Sequence, residues 1–134
     1  IKMLNNSFEK TYIIAEIASS HEGSLDYALK LFNILTESKT HAIKFQIFNT
    51  DSFISKNNPN HQEFKKLEFS FEEWEKILFS KANFQQDLIA EVFDFGSLEF
   101  VNKLNSFVQA FKEFSPNFFD NAKFEIIFEE SIKP

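Results

Sequence analysis

Short apolar segments rich in β-branched residues alternate along this chain with stretches whose apolar residues recur at helical spacing. The first such segment, Tyr12 to Ile17, is a near-continuous hydrophobic run, which is typical of a strand buried in a parallel sheet. Ser24 is placed to cap the helix that follows. The apolar residues of that helix fall on one face, namely Leu25, Ala28, Leu29, Phe32 and Leu35. His41 to Ile47 is predicted to be the second strand, which completes a βαβ unit.

A polar stretch from Phe48 to Phe69 follows the second strand. It is too long for an ordinary connection, so we expect a functional or a mobile loop. Its end is marked by two helix-start signals. Ser70 and Glu73 form a capping-box pattern, and Phe69 with Trp74 has the spacing of a hydrophobic staple. The next helix is therefore predicted to begin at Ser70.

The alternation continues to the end of the chain. The helix that begins at residue 70 is predicted to run to about Ser80, and Asp87 to Phe93 is predicted to be the third strand. A shorter helix is expected from Ser97 to Leu104, and Phe107 to Phe111 is a plausible fourth strand. A fourth helix is expected from Asp120 to Glu130 because its apolar residues share one side.

Strict strand-helix alternation predicts a parallel sheet covered by helices, either a doubly wound layer or a barrel. A complete (β/α)8 barrel needs roughly 250 residues, so 134 residues suffice for one small domain or for a piece of a larger one. The chain stops at Lys133 and Pro134, just before a fifth strand is due. The open sheet edge expected there predicts a truncated chain, a split gene product, or a half that dimerises to close the sheet.

Composition excludes several classes of function. A net charge of −6 and a pI near 5.1 argue against a broad nucleic-acid-binding surface, so small molecules or proteins are the expected partners. No apolar run approaches the roughly 18 residues of a membrane span. The chain has no cysteine and no secretory signal pattern, which favours the cytoplasm. With 2 glycines it has no Gly-rich phosphate loop.

Polar residues at the predicted strand ends are the candidates for a site, because ligands of parallel α/β folds bind at the carboxyl ends of the strands. Two lysines among several carboxylates could bind an anionic substrate and transfer protons. Strand by strand, the candidates are Glu16 with His21 and Glu22, then Lys44 and Gln46, then Glu91 and Asp94, and finally Lys112 and Ser115.

Each candidate also has a structural interpretation. A charge is costly to bury alone, so Glu16 and Lys44 either face a ligand cavity or pair with one another across neighbouring strands. His21 either anchors its loop or belongs to the site, and Asp94 either caps the next helix or acts in catalysis. The remaining histidines are predicted to be ordinary surface or loop residues, namely His41 and His61. No metal site is predicted in this chain.

Two motifs at strand ends resemble the opening of the sialic acid synthase family. Tyr12 to Ser24, YIIAEIASSHEGS, is similar to the family's AEIG-x-NH-x-GS, and Ala42 to Gln46, AIKFQ, is similar to AVKFQ. The likeness continues through Leu67 to Glu73 and through Ala110 to Ser115, similar to AYKI-x-S, and the final Lys-Pro resembles the family's KPIILSTG. The resemblance implies the first half of a TIM (β/α)8 barrel, a partial domain over residues 1–134 with about four βα units.

The resemblance also implies a metal-dependent condensation. In it, C3 of phosphoenolpyruvate attacks the open-chain aldehyde of an N-acetylmannosamine-like sugar, and water then displaces phosphate. Glu16 matches the family glutamate that transfers protons near the sugar. The residues implied in substrate binding are Lys44, Gln46, Glu91, Lys112, Ser115 and His21. Manganese or magnesium is expected for the full-length enzyme, with its histidine ligands in the later half of the barrel, before an antifreeze-like C-terminal domain.

Three positions depart from the family pattern. Glu91 stands where the family's STPFD stretch has a Thr that contacts the carboxylate of phosphoenolpyruvate. An acidic residue there would repel that anion unless it is protonated or turned away. Ala18 replaces the usual Gly, and Ser20 replaces the usual Asn. These departures indicate a divergent branch with a changed substrate, or an inactive copy.

Two other functions stay open at this point. The chain could be a non-catalytic half-barrel that works by binding a partner or by assembly. For either function, the expected protein partner is a second copy of the chain, in a homo-oligomer, or a missing C-terminal half. The chain could also be another phosphosugar-processing barrel, which would bind sugar phosphates without phosphoenolpyruvate.

Overall fold

The computed structural model describes residues 11–114 and 124–128, in which four strands form one parallel sheet. The strands are β1 (Ile14–Glu16), β2 (Ala42–Ile47), β3 (Asp87–Val92) and β4 (Phe124–Phe128). They pair side by side in chain order. A doubly wound sheet reverses its strand order partway, whereas a barrel wall does not. Among the described strands, the order does not reverse.

Five helices connect or flank these strands within the described ranges. They are α1 (Leu25–Thr36), α2 (Thr50–Phe53), α3 (His61–Leu67), α4 (Phe71–Leu78) and α5 (Phe95–Phe114). Helices α1, α4 and α5 supply the helical residues of the hydrophobic core. None of the described helices combines the length and the hydrophobicity needed to cross a membrane.

The core lies between one face of the sheet and these three helices. Side chains of β2 alternate between the two faces, and Phe45 and its odd-numbered neighbours enter the core. Phe45 contacts Phe32 of α1 and Trp74 of α4, with ring centroids 5.7 and 5.8 Å away. Lys44 and Gln46 consequently point to the opposite face. Because successive side chains of a strand point to opposite faces, the polar candidates lie on one face of the sheet and the apolar core lies on the other.

Both predicted helix starts are confirmed. The Ser24 side chain accepts a hydrogen bond from the Tyr27 N–H. At Ser70 the capping box is complete, because the Glu73 carboxylate also accepts from the Ser70 N–H at 2.8 Å. Phe69 packs against Trp74 with their ring centroids 5.3 Å apart, as the staple predicts. The sequence therefore specifies where α1 and α4 begin.

The predicted fourth strand is wrong. Residues Phe107 to Phe111 continue α5, which extends well beyond the predicted end at Leu104. The reason is that the helical period persists, since Val101, Leu104 and Val108 are all buried on one face of α5. The predicted fourth helix, Asp120 to Glu130, is also wrong at its centre. Residues 124–128 form β4, in which Ile126 packs on the core and its two neighbours are exposed.

The segment predicted as a long loop contains α2 and α3. Phe48 packs against three further rings, those of Phe53, Phe64 and Phe93, at centroid distances of 5.3 to 6.1 Å. The Thr50 N–H donates a hydrogen bond of 2.8 Å to the Glu68 side-chain carboxylate, which links the two ends of the segment. The segment that follows β2 is therefore folded, and the polarity of its sequence alone does not reveal this.

Candidate functional site

Three charged side chains meet on the face of the sheet opposite the helices. The parallel register places Glu16 of β1 directly beside Lys44 of β2. The Lys44 Nζ lies 3.1 Å from the Glu16 Oε1 and also 3.1 Å from the Glu91 Oε2 on β3. The ammonium group is thus held between carboxylates from the strands on either side. We call Glu16, Lys44, Gln46 and Glu91 the strand-end cluster.

Gln46 completes this cluster. It lies beside Glu91 in the register of β2 and β3, and its Nε2 donates a hydrogen bond of 2.8 Å to the Glu91 Oε2. The same carboxylate oxygen therefore accepts from both Lys44 and Gln46. Two partners fix the Glu91 side chain on the β2 side, whereas Glu16 has the single contact with Lys44 among the interactions of the described residues.

Burial differs sharply between the two carboxylates. The Glu91 side chain is 10% exposed and that of Lys44 is 18% exposed, but that of Glu16 is 43% exposed. Burial by itself lowers the pKa of Lys44, but hydrogen bonds to Glu91 and then Glu16 outweigh it, so the pKa is raised. Lys44 therefore carries its charge at neutral pH. Two carboxylates and one ammonium give the cluster a formal charge of −1.

His21 does not join the strand-end cluster. It is buried beneath the loop after β1, where its ring lies 4.4 Å from that of Phe69 and meets Trp74 edge-on. Its Nδ1 accepts a hydrogen bond of 3.1 Å from the Gly23 N–H. This geometry is the loop-anchoring alternative. A ligand-binding role for His21 stays a prediction.

The Asp94 carboxylate accepts three hydrogen bonds from two residues. It accepts from the Ser97 N–H at 2.8 Å and from the Ser97 hydroxyl at 2.7 Å, which caps the first turn of α5. It also accepts from the Asn49 N–H at 2.7 Å, which links α5 to the segment after β2. Asp94 is buried, and all of these contacts stabilise the fold. The helix-capping interpretation therefore accounts for its position.

Two candidates lose the structural argument that supported them. Lys112 lies in the last turn of α5 and not at the end of a strand, because the predicted fourth strand does not form. Ser115 lies outside the described residues. Their roles in substrate binding rest on the resemblance alone and stay predictions.

The sequence did not reveal two further polar clusters. His61 is buried, and its Nε2 lies 2.9 Å from the Asp51 Oδ1, so it is not the ordinary surface or loop histidine predicted. At the amino end of the sheet, the Tyr12 hydroxyl donates to the Asp87 carboxylate, which raises the pKa of Tyr12 to about 12. Both pairs join residues from separate segments. No local pattern predicts such pairs.

A surface cavity of about 590 Å³ lies along α5 and contains none of the strand-end cluster. Within the described part of the chain, no group of three His, Cys, Asp or Glu side chains could hold a metal ion. The strand-end cluster therefore offers one partly buried ammonium, one buried carboxylate and one accessible carboxylate.

Comparison with known proteins gives two relatives of interest. The chain is 35% identical over 104 residues to the uncharacterized protein MJ1065 of Methanocaldococcus jannaschii. That alignment covers 78% of this chain and 30% of the relative, so the chain spans less than a third of that protein's length. No family model matches the chain.

The second relative is a solved structure. The fold is similar to that of N-acetylneuraminic acid (sialic acid) synthetase from Leptospira borgpetersenii serovar Hardjo-bovis, crystallised in complex with citrate. The TM-score is 0.59 at 26% sequence identity, over 72% of this chain and 34% of that one. The described strands and helices therefore form a fold like that of a sialic acid synthetase.

Proposed function

We propose that this chain is the first half of a (β/α)8 barrel belonging to a phosphoenolpyruvate-dependent synthase of the sialic acid type. The sequential parallel sheet and its likeness to a sialic acid synthetase support the fold. The strand-end motifs around Glu16 and Lys44 support the reaction. The observation that carries the proposal is that these two residues meet on neighbouring strands, on the face that a closed barrel turns inward.

In the proposed reaction, Lys44 binds the phosphate or carboxylate of phosphoenolpyruvate as a point charge. Glu16 suits the proton-transfer role because it is the accessible carboxylate of the cluster. A carbon–carbon bond forms between C3 of phosphoenolpyruvate and the aldehyde carbon of an N-acetylmannosamine-like sugar, and the aldehyde oxygen takes up a proton. Water then attacks C2 and phosphate departs. The product is a nonulosonic acid.

Manganese or magnesium is implied by the resemblance, but the described residues do not fit a metal ion, since no suitable group of three ligands occurs among them. The proposed steps therefore use side chains of this chain only. The rest of the barrel would come from further chain of the kind its longer relatives possess, or from a partner subunit. We also propose that the protein is located in the cytoplasm.

A second candidate function is a non-catalytic half-barrel that binds a partner or assembles with copies of itself. The observation that favours it is the pairing of Glu91 with Lys44, because a paired ammonium is less available to an anionic substrate. The two candidates differ in what Lys44 does. In the synthase it contacts phosphoenolpyruvate, and in the assembly module it only stabilises the sheet.

Titration with phosphoenolpyruvate up to millimolar concentration, followed by NMR, tests the synthase proposal. We expect shifts of backbone signals near residue 44 that saturate, and that are lost in Lys44→Met. Lys103→Met is the matched control, because it removes the same charge from an exposed position on α5. Shifts that persist in Lys44→Met, or phosphoenolpyruvate binding no tighter than that of inorganic phosphate, would contradict the proposed function.

A further inference from the structure

The carboxylate of Glu91 contacts the same ammonium group of Lys44 that an anionic ligand would contact. It lies 3.1 Å from the Lys44 Nζ, a hydrogen-bonding distance, and is almost buried. Glu16 contacts the same ammonium at the same distance, but its side chain is four times as exposed, at 43% against 10%. Glu16 can therefore swing into solvent when a ligand arrives. Glu91 has little room to do so.

Gln46 strengthens this difference. Its amide donates to the same Glu91 oxygen that contacts Lys44, so moving Glu91 away from Lys44 also breaks a hydrogen bond in a partly buried place. If a buried carboxylate leaves both donors and finds no others, the folded state is destabilised. Gln46 is thus a positioning residue that holds Glu91 against the ammonium.

The charge of the surrounding face acts in the same direction. Strand alternation and the register place Asp87, Glu91 and Glu125 on the face that carries Glu16 and Lys44. On the strands of the described part of the chain, this face therefore has four carboxylates and a single ammonium group. Phosphoenolpyruvate carries a phosphate and a carboxylate, and each would be repelled by this surplus of negative charge.

We propose that Glu91 is a built-in counter-ion that excludes anionic ligands from Lys44, so that an anion binds there only by displacing the Glu91 carboxylate. This inference rests on the proposed function, because it takes Lys44 as the binding group. It makes Glu91 the residue that sets specificity at this site. A neutral side chain at position 91 would leave Lys44 free to bind a phosphate or a carboxylate. The acidic side chain instead pairs with Lys44 and competes with such a ligand.

The test is to measure binding of phosphoenolpyruvate and of inorganic phosphate, separately, to the wild-type chain and to Glu91→Gln. Glutamine keeps the shape, removes the negative charge and retains one oxygen that can accept the hydrogen bond from Gln46. Glu125→Gln is the matched control, because it removes one charge from the same face without touching Lys44. Thermal unfolding of each variant establishes that it is folded. We expect the dissociation constant to be at least tenfold lower in Glu91→Gln, and to change less than threefold in Glu125→Gln.

The outcomes separate this inference from the proposed function. If Glu91→Gln gains affinity for both anions equally, and Lys44→Met/Glu91→Gln loses that gain, Glu91 is the counter-ion but the synthase proposal fails. If the wild-type chain binds phosphoenolpyruvate through Lys44 and Glu91→Gln binds it no better, the synthase proposal survives and the counter-ion role is overturned. Equal gains in Glu91→Gln and Glu125→Gln overturn it too, as does the absence of anion binding in every variant.

Discussion

An ideal Cβ atom on Gly23 would overlap the carbonyl oxygen of Lys66. Gly23 also has a φ angle of +74°, in the left-handed region that residues with a side chain rarely adopt. The loop after β1 and the end of α3 therefore meet backbone to backbone at this point. This contact positions the loop that follows Glu16.

Gly23→Ala is expected to lower the free energy of unfolding by more than about 2 kcal/mol, because it adds both a steric overlap and a strained φ angle. Urea denaturation measures the change. Gly96→Ala is the control, since its Cβ atom would lie 3.2 Å from the Asp94 Oδ1, a tight contact that needs a small side-chain shift, and the backbone there is not left-handed. We expect a change of less than about 1 kcal/mol in the control. Equal effects at both glycines would contradict this explanation.

Ala18 adopts a φ angle of 44° in the same loop, at a position where the sequence resemblance has glycine. A left-handed conformation destabilises a residue with a side chain by about 1–2 kcal/mol. Replacing alanine with glycine also gives the unfolded chain more conformational freedom, which lowers the free energy of unfolding by about 0.4–1 kcal/mol. Ala18→Gly is therefore expected to stabilise the protein by about 0.5 kcal/mol and raise the melting temperature. In contrast, Ala28→Gly in α1 should destabilise it by at least about 1 kcal/mol. A lower melting temperature for Ala18→Gly would show that the loop is unstrained.

Removing the ammonium of Lys44 should leave Glu91 as an unpaired, nearly buried carboxylate. We expect Lys44→Met to lower the free energy of unfolding by about 2–4 kcal/mol, less than for a fully buried pair because both side chains keep some exposure. The double variant Lys44→Met/Glu91→Leu should recover most of this loss, since it removes both charges. A double-mutant cycle in urea gives the coupling. Losses that simply add would show that the pair is not coupled.

The pH dependence of stability should report on His21. Burial lowers its pKa, and a backbone hydrogen bond with Ala18 opposes this to a smaller extent. The unfolded chain therefore binds a proton at a pH where the folded chain does not, so His21 stabilises the fold above its unfolded pKa of about 6.5 and this contribution is lost as pH falls. We expect the wild-type free energy of unfolding to decrease between about pH 7.5 and about pH 5.5, a range that brackets the unfolded pKa.

His21→Asn should show a smaller decrease over the same pH range. All other residues are the same in both proteins, so the comparison isolates position 21. The carboxylates whose pKa is lowered, Glu37, Asp51 and Glu68, lose their contributions only at more acidic pH. An identical pH dependence in His21→Asn would mean that His21 binds a proton as readily in the folded chain as in the unfolded chain.

Local patterns in the sequence were enough to predict the first three strands and the starts of α1 and α4. Apolar runs and capping residues act over a few neighbouring positions, so the sequence alone can reveal them. Beyond residue 104 the same reasoning failed, because a short apolar run such as Phe107 to Phe111 fits a strand or one more turn of helix equally well. Burial of Val108 beside Val101 and Leu104 decides for the helix.

The strand-end residues were predicted as candidates, and the pairing of Glu16 with Lys44 was one of two alternatives that the sequence left open. Only the tertiary structure decided that Glu91, separated by most of the chain from Glu16, contacts the same ammonium group. Register between strands is set by long-range pairing and by packing of the opposite face against the helices. Residue types and strand ends are therefore properties of the sequence, but the partner of a buried charge is a property of the fold.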